Sequence, residues 1–294
     1  MSHEGYFSES FTSDPQDVFS VSYYISDMQK YQWGTWYNIC HSLGLHDQEN
    51  ILLSGVGDDF VATEEYRDRT NLDYLIQTKE KSTASGFIVT DQWGNQATAF
   101  YPGAMDDALQ IDVSNIQEDL SYAIISPNGA VMLPHLRACV GRWWKTFFDP
   151  GQGTGFLTAQ ELTEGVELAN YLIVNAYEYE LLQERTWLTE EDILWHVEKL
   201  IVTQGKDGVD LIDQNWNMHI DAIAWVEEAH PTGAGDAFRG WLLAGLSSDE
   251  NWQTAAKIWC VTAAFCVESM WPATHTFTKE EFEHRLEMTY SNRS

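Results

Sequence analysis

The sequence predicts an α/β fold built on a mostly parallel sheet with helices on both faces. Three observations predict it. Short apolar runs at 51–54, 123–126, 146–148, 171–174 and 200–203 are each followed by turn or helix signals. Strands that alternate with helices in this way form parallel sheets buried on both faces. Helix starts are marked as well: Thr189 with Asp192, Ser247 with Glu250 and Thr278 with Glu281 resemble capping boxes or their Asp variants. No repeat, low-complexity tract or Pro- or Ser-rich linker divides the 294 residues, so one domain over 1–294 is expected.

Along the chain, residues 1–20 are polar and no apolar strand is read there. The strand–helix alternation begins near Asn50. Two segments break it. Residues 87–90 and 96–100 flank Asp91-Gln92-Trp93-Gly94-Asn95, a hairpin-like turn with Gly where positive φ is tolerated. Residues 209–212 and 218–223 form a second antiparallel piece. The first hairpin predicts a small β lid, with elements at about 18–25 and 86–101, over the carboxyl edge of the sheet where such folds bind ligands. Phe238 to Leu246 reads as an apolar helix. After Ser247, Trp252, Ala255, Ala256, Trp259 and Ala263 fall on one stripe, that of a core-facing helix.

Composition sets limits on function. Asp and Glu number 45 against 16 Lys and Arg, a net charge of −29 with a pI near 4.4. That field repels phosphate backbones, which excludes nucleic-acid binding through a broad basic face. No apolar run approaches a bilayer span, and MSHEGYFSES lacks a basic segment followed by an apolar one. A cytoplasmic protein is the expectation. Cys40, Cys139, Cys260 and Cys266 include no C-x-x-C pair and suit a reducing compartment. The nine histidines are scattered without an H-E-x-x-H or Cys/His cluster. Gly151-Gln152-Gly153-Thr154-Gly155 is not a dinucleotide fingerprint, and no G-x-x-x-x-G-K-S/T loop occurs. Asp58-Asp59 reads as a solvated turn rather than a metal site.

The stretch richest in chemistry is His230-Pro231-Thr232-Gly233-Ala234-Gly235-Asp236-Ala237-Phe238-Arg239-Gly240. Small residues entering a helix let backbone approach a ligand, and the free N–H groups of a helix start attract anions. Asp236, in the first turn, is poorly placed to bind an anion but well placed to take a proton from an attacking hydroxyl. Taken alone, the stretch reads more readily as an ordinary Gly-rich loop with a carboxylate favoured by the helix dipole.

Other segments add weight. Ile201-Val202-Thr203-Gln204-Gly205-Lys206-Asp207-Gly208 is a strand entering a glycine turn, and Tyr171 to Val174 is a buried strand ending in Asn175-Ala176-Tyr177-Glu178. With Gly57-Asp58-Asp59, Asp149-Pro150-Gly151 and the P-T-G-A-G-D loop, in this order, the chain resembles the ribokinase or PfkB carbohydrate-kinase family from about Val18 to its C-terminus. The text from Val89 to Met105 is most similar to the adenosine-kinase-like branch. The resemblance implies a ribokinase-like fold and ATP-dependent phosphorylation of a primary hydroxyl on a ribofuranosyl nucleoside, adenosine-like, or a sugar. It implies that Asp236 is the base and that the amides of Gly233, Ala234 and Gly235 receive the transferring phosphoryl group. It further implies that Thr203 and Gly205 meet the nucleotide, and that Asn175 and Glu178 organise Mg²⁺, largely through water. Lids in this family often mediate dimers, so a homodimer is expected from the resemblance.

The acceptor side departs from the family's pattern. The family begins with a strand ending in an Asp that holds sugar hydroxyls, and none is read here. Where it carries glycines and small residues before an Asn, this chain has Trp33-Gly34-Thr35-Trp36-Tyr37-Asn38. Trp33 and Tyr37 replace glycines, and Trp36 replaces a small residue. Trp271 falls where a Gly lines the nucleotide region, and His230 where Asp is usual. Bulk at a ligand-facing turn fills the space that glycine leaves open. Two readings follow: a nucleoside or sugar kinase, or a catalytically impaired relative serving as a scaffold or nucleotide-binding partner of another protein. Tyr37 or Trp33 packed beside Asp236 would favour the second.

Overall fold

The computed structural model describes residues 2–3, 25–28, 30–32, 34–90, 96–223, 233–269 and 275–290. Its centre is a six-stranded sheet in the order β12-β11-β10-β9-β8-β7. β7 (Tyr122–Ile125), β8 (Lys145–Phe148), β9 (Tyr171–Asn175) and β10 (Lys199–Thr203) run parallel, and β11 (Val209–Ile212) and β12 (Asn217–Ile220) add an antiparallel hairpin. The four parallel strands are those the apolar runs mark.

Period-two alternation divides the strand side chains between two cores. Phe148, Leu172, Val174, Leu200 and Val202 face α3 (Met132–Gly141), α4 (Ala159–Leu168), α5 (Ala176–Thr186) and α6 (Glu190–His196). Phe147, Tyr171, Ile173, Ile201, Val209 and Leu211 face α1 (Thr35–Gly44), α7 (Ala234–Ser247), α8 (Trp252–Glu268) and α9 (Lys279–Tyr290). Both cores are continuous across the sheet, as a parallel sheet covered on two sides requires.

A smaller sheet stands apart, with the order β2-β1-β5-β6. β5 (Ser85–Thr90) and β6 (Gln96–Tyr101) form the expected hairpin, flanked by β1 (Ser2–His3) and β2 (Ile25–Asp27). Of the lid element expected at 18–25, only Ile25 lies within the described residues. β3 (Gly55–Gly57) and β4 (Ile76–Thr78) make a separate parallel pair. α2 (Glu64–Arg69), capped by Thr63, lies in the connection between them.

Three expectations are corrected. The run at 51–54 is not a strand: Ile51 makes one isolated bridge to Asn71, and the strand begins at Gly55. Gly55 sits so close to residues 104–108 that a Cβ would meet the Ala104 carbonyl oxygen at 2.1 Å. Glycine is thus required in a strand whose sequence disguises it. The apolar helix begins at Ala234, four residues earlier than read, because Gly233 at φ 82° turns the chain directly into it. Ser247 does not start a helix; it ends α7, and Asn251 caps α8 by accepting from the Thr254 amide at 2.9 Å. The boxes at Thr189–Asp192 and Thr278–Glu281 are present.

Candidate active site

The site gathers at the carboxyl edge of the sheet, where α7 starts. Gly233 adopts the left-handed conformation as the residue before the helix, and the first intrahelical bond is Ala237 N–H to the Gly233 carbonyl at 2.9 Å. The amides of Ala234, Gly235 and Asp236 precede that bond and, among the described residues, have no backbone partner, as at any helix start that can receive an anion. Gly235 and Ala234 also line a cavity of about 70 Å³ together with Thr203 and Gly205. α8 closes this cavity with Trp259, Cys260, Ala263 and Ala264. Four of the sequence-selected residues therefore converge on one hollow.

Asp236 points toward α1. Asn38 Nδ2 donates to Asp236 Oδ2 at 2.8 Å, across 198 residues of sequence. Asn38 is itself buried, and its Oδ1 has no hydrogen-bond partner among the described residues. The two helices can meet here because Gly240 has no side chain: a Cβ on it would lie 2.7 Å from the Ile39 carbonyl oxygen and from Ser42 Cβ. Burial raises the Asp236 carboxyl above its ordinary range, while Arg239 and the Asn38 hydrogen bond pull it back.

Arg239 is a charged neighbour of Asp236 that the sequence does not single out. Nη2 donates to Asp149 Oδ1 at 2.6 Å, and Nε lies 2.6 Å from Oδ2. Ser126 Oγ donates to that second oxygen at 2.7 Å. Asp149 is fully buried at the end of β8. Burial works against the Arg239 charge, but Asp149, Asp236 and Glu178 together hold its proton firmly. A Cβ on Gly235 would come within 2.8 Å of Arg239 Nη1, so the guanidinium lies directly beneath the anion-facing loop. An arginine inside an otherwise apolar helix, with an Asp at a strand end elsewhere, was the available signal.

Asn175 and Glu178 engage each other. Asn175 Oδ1 accepts from the Glu178 amide, and Glu178 Oε2 accepts from the Asn175 amide, both at 2.8 Å. They form the capping box of α5, and among the described residues the other Glu178 oxygen makes no hydrogen bond. Burial raises the Glu178 carboxyl, opposed by the Asn175 amide and by Arg239. Among the described residues no group of three His, Cys, Asp or Glu side chains is arranged to hold a metal ion.

The acceptor side is corrected in one respect. Tyr37 does not fill the space beside Asp236. Its ring stacks on Tyr66 at 4.0 Å with an interplanar angle of 3°, in a small core with Cys40, Leu52 and Ala62. Trp36 packs against Phe60 in the same cluster. Gly34 precedes α1 at φ 144°. Trp33, Trp271 and His230 lie outside the described residues.

Residues 19–276 match the pattern of the pfkB family carbohydrate kinases. The chain is 28% identical over 272 residues to a nucleoside kinase of Methanocaldococcus jannaschii, covering 91% of this chain and 89% of that protein. Its structure is similar to that of a Burkholderia thailandensis nucleoside kinase in complex with inosine, with a TM-score of 0.87, 29% identity, and coverage of 99% and 94%. The same enzyme in complex with ADP-inosine gives a TM-score of 0.84 at 30% identity, covering 99% of this chain and 92% of the other. The reading as a catalytically impaired scaffold finds no support here: of the aromatic residues that suggested it, Tyr37 and Trp36 pack in a separate small core.

Proposed function

Because this chain belongs to the pfkB family of carbohydrate kinases, we propose that it transfers the γ-phosphoryl group of ATP to the primary hydroxyl of a ribofuranosyl nucleoside, purine-like in its base. The observation that carries the reading is the meeting of Asn38 and Asp236 at 2.8 Å in front of the first amides of α7. A base, an orienting amide and an anion-binding helix start thus share one point. The nucleoside kinases among the relatives support a nucleoside as the acceptor.

In the reaction, the acceptor oxygen attacks the γ-phosphorus, the bond to the ADP oxygen breaks, and the hydroxyl proton passes to Asp236. Asn38 holds one Asp236 oxygen and leaves the other for that proton. The amides at the start of α7 face the charge that builds on the transferring group. Arg239 supplies positive charge beneath the same loop while its fork anchors α7 to β8. Thr203 and Gly205 border the small hollow beside the start of α7, the edge at which the nucleotide would be met. Mg²⁺, when bound, neutralises the phosphates, and Asn175 with the other Glu178 oxygen would hold it through water.

The test is ADP release from Mg·ATP with adenosine, inosine, cytidine or ribose as acceptor, and Asp236→Asn as control. Turnover that depends on a purine nucleoside and disappears in the variant is expected. Turnover with ribose alone would reassign the acceptor, and none with any acceptor would overturn the reading.

A further inference from the structure

The turn that carries Gly205 into the cavity is tied down by a histidine outside every motif. His219, on β12, directs Nδ1 to Asp210 Oδ1 on β11 at 2.6 Å and Nε2 to the Asp207 carbonyl oxygen at 2.9 Å. Both partners are acceptors. A neutral imidazole has one N–H and satisfies only one of them; making both bonds at once requires the imidazolium. The same Asp210 carboxylate accepts from Gln204 Nε2 at 2.9 Å through its other oxygen, an arrangement suited to the ionised form. Gln204 also donates its backbone N–H to the Gly208 carbonyl at 2.7 Å. The turn is thus gripped at Gln204 by Asp210 and at Asp207 by His219. It has no slack on the β12 side, since a Cβ on Gly208 would meet the Ile220 carbonyl oxygen at 2.0 Å.

We propose that His219 is a positioning residue for the phosphoryl donor: as an imidazolium it clamps the turn at Gly205–Asp207 in the shape that meets the nucleotide, and the clamp opens when the proton leaves. The inference rests on reading that turn as the nucleotide-contacting one. Among the described residues, the charged groups that pair with His219 are acidic. Asp210 comes from β11, and Asp221, just past β12, lies 3.6 Å from Nε2. Lys206 belongs to the clamped turn and is exposed. α8, packed on β12, contributes the buried Cys260 thiol, which feels Asp221, and Tyr290 of α9 donates to the Asp221 carbonyl. The hydrogen bond to Asp210 holds the His219 value above the ordinary histidine range. The contribution is therefore complete at acid pH and is lost as pH rises through that elevated value.

Two readouts separate this role from a merely structural one. By NMR of the full chain labelled at histidine, both His219 ring nitrogens carry protons at neutral pH and titrate above the usual range. Affinity for ADP with Mg²⁺, measured by calorimetry, weakens about fivefold as pH rises through that titration. His219→Phe binds ADP weakly at every pH with a flat profile, and Asp210→Asn, which keeps the shape of the hairpin, moves the break to lower pH. A neutral His219 at neutral pH, or a His219→Phe profile that matches wild type, overturns the proposal. If ADP binds neither protein, the nucleotide reading falls, and hydrogen exchange decides the clamp. The Asp207 and Gly208 amides then exchange faster in His219→Phe if the clamp exists, and at the wild-type rate if it does not.

Discussion

Asp236 stands between opposing demands. Burial favours its protonated form, and Arg239 and Asn38 favour the carboxylate that a base must be. Because its folded value is raised, its ionisation costs stability at neutral pH, and that cost is relieved as pH falls through the folded value. Turnover should therefore fall on the acid side with an apparent pKa above the usual ~3.9 of Asp, as a pH–rate profile will show. Asp236→Asn should lower kcat by about 10²–10⁴ while leaving the protein at least as stable to heat at neutral pH. Arg239 invites a different test. Arg239→Met strands a buried Asp149 carboxylate and should cost about 3–5 kcal/mol, read by urea denaturation. Adding Asp149→Leu should recover most of that stability without recovering turnover, because the charge beneath the anion-facing loop is still missing. Lys at 239 reproduces the charge but not the two-pronged fit to Asp149.

At the level of elements, the site depends on how closely two helices cross. α1 and α7 touch at Gly240, where the smallest added side chain strikes the backbone of Ile39. Gly240→Ala should push α1 outward, lengthen the Asn38–Asp236 contact and lower kcat, with ADP affinity nearly unchanged. Steady-state kinetics beside calorimetry will check that split. Which elements were legible follows from physics of this kind. β7 to β10 were readable because strands buried on both faces are written as unbroken apolar runs. Thr189 and Thr278 were readable because their boxes sit just before their helices. Ser247 carries the same Ser-x-x-Glu text, but α7 runs on to meet it, and the short bend to Asn251 leaves no trace in the sequence. Gly55–Gly57 escaped because glycine argues against a strand, and only the tight approach of residues 104–108 explains it.

For the molecule as a whole, a charge of −29 is spread over a surface with few cations to offset it. Like charges within a Debye length of about 8–10 Å repel until salt screens them, so the thermal midpoint should rise from low to molar KCl, measured by calorimetry. The ordered motifs made the family and the residues of α7 legible. The fate of Tyr37 was not, since its partner Tyr66 is a neighbour only in three dimensions, and neither was Arg239, whose partner lies 90 residues away. The parallel strands β7 to β10 each pair with their neighbour in sequence, which means the sheet needs only short-range closures as the chain leaves the ribosome. Asp236 meets Asn38 only when both ends of the chain are present. Synthesis should accordingly yield a nascent chain with a formed sheet but no assembled base, and phosphoryl transfer, once the protein is complete, is the last property to mature.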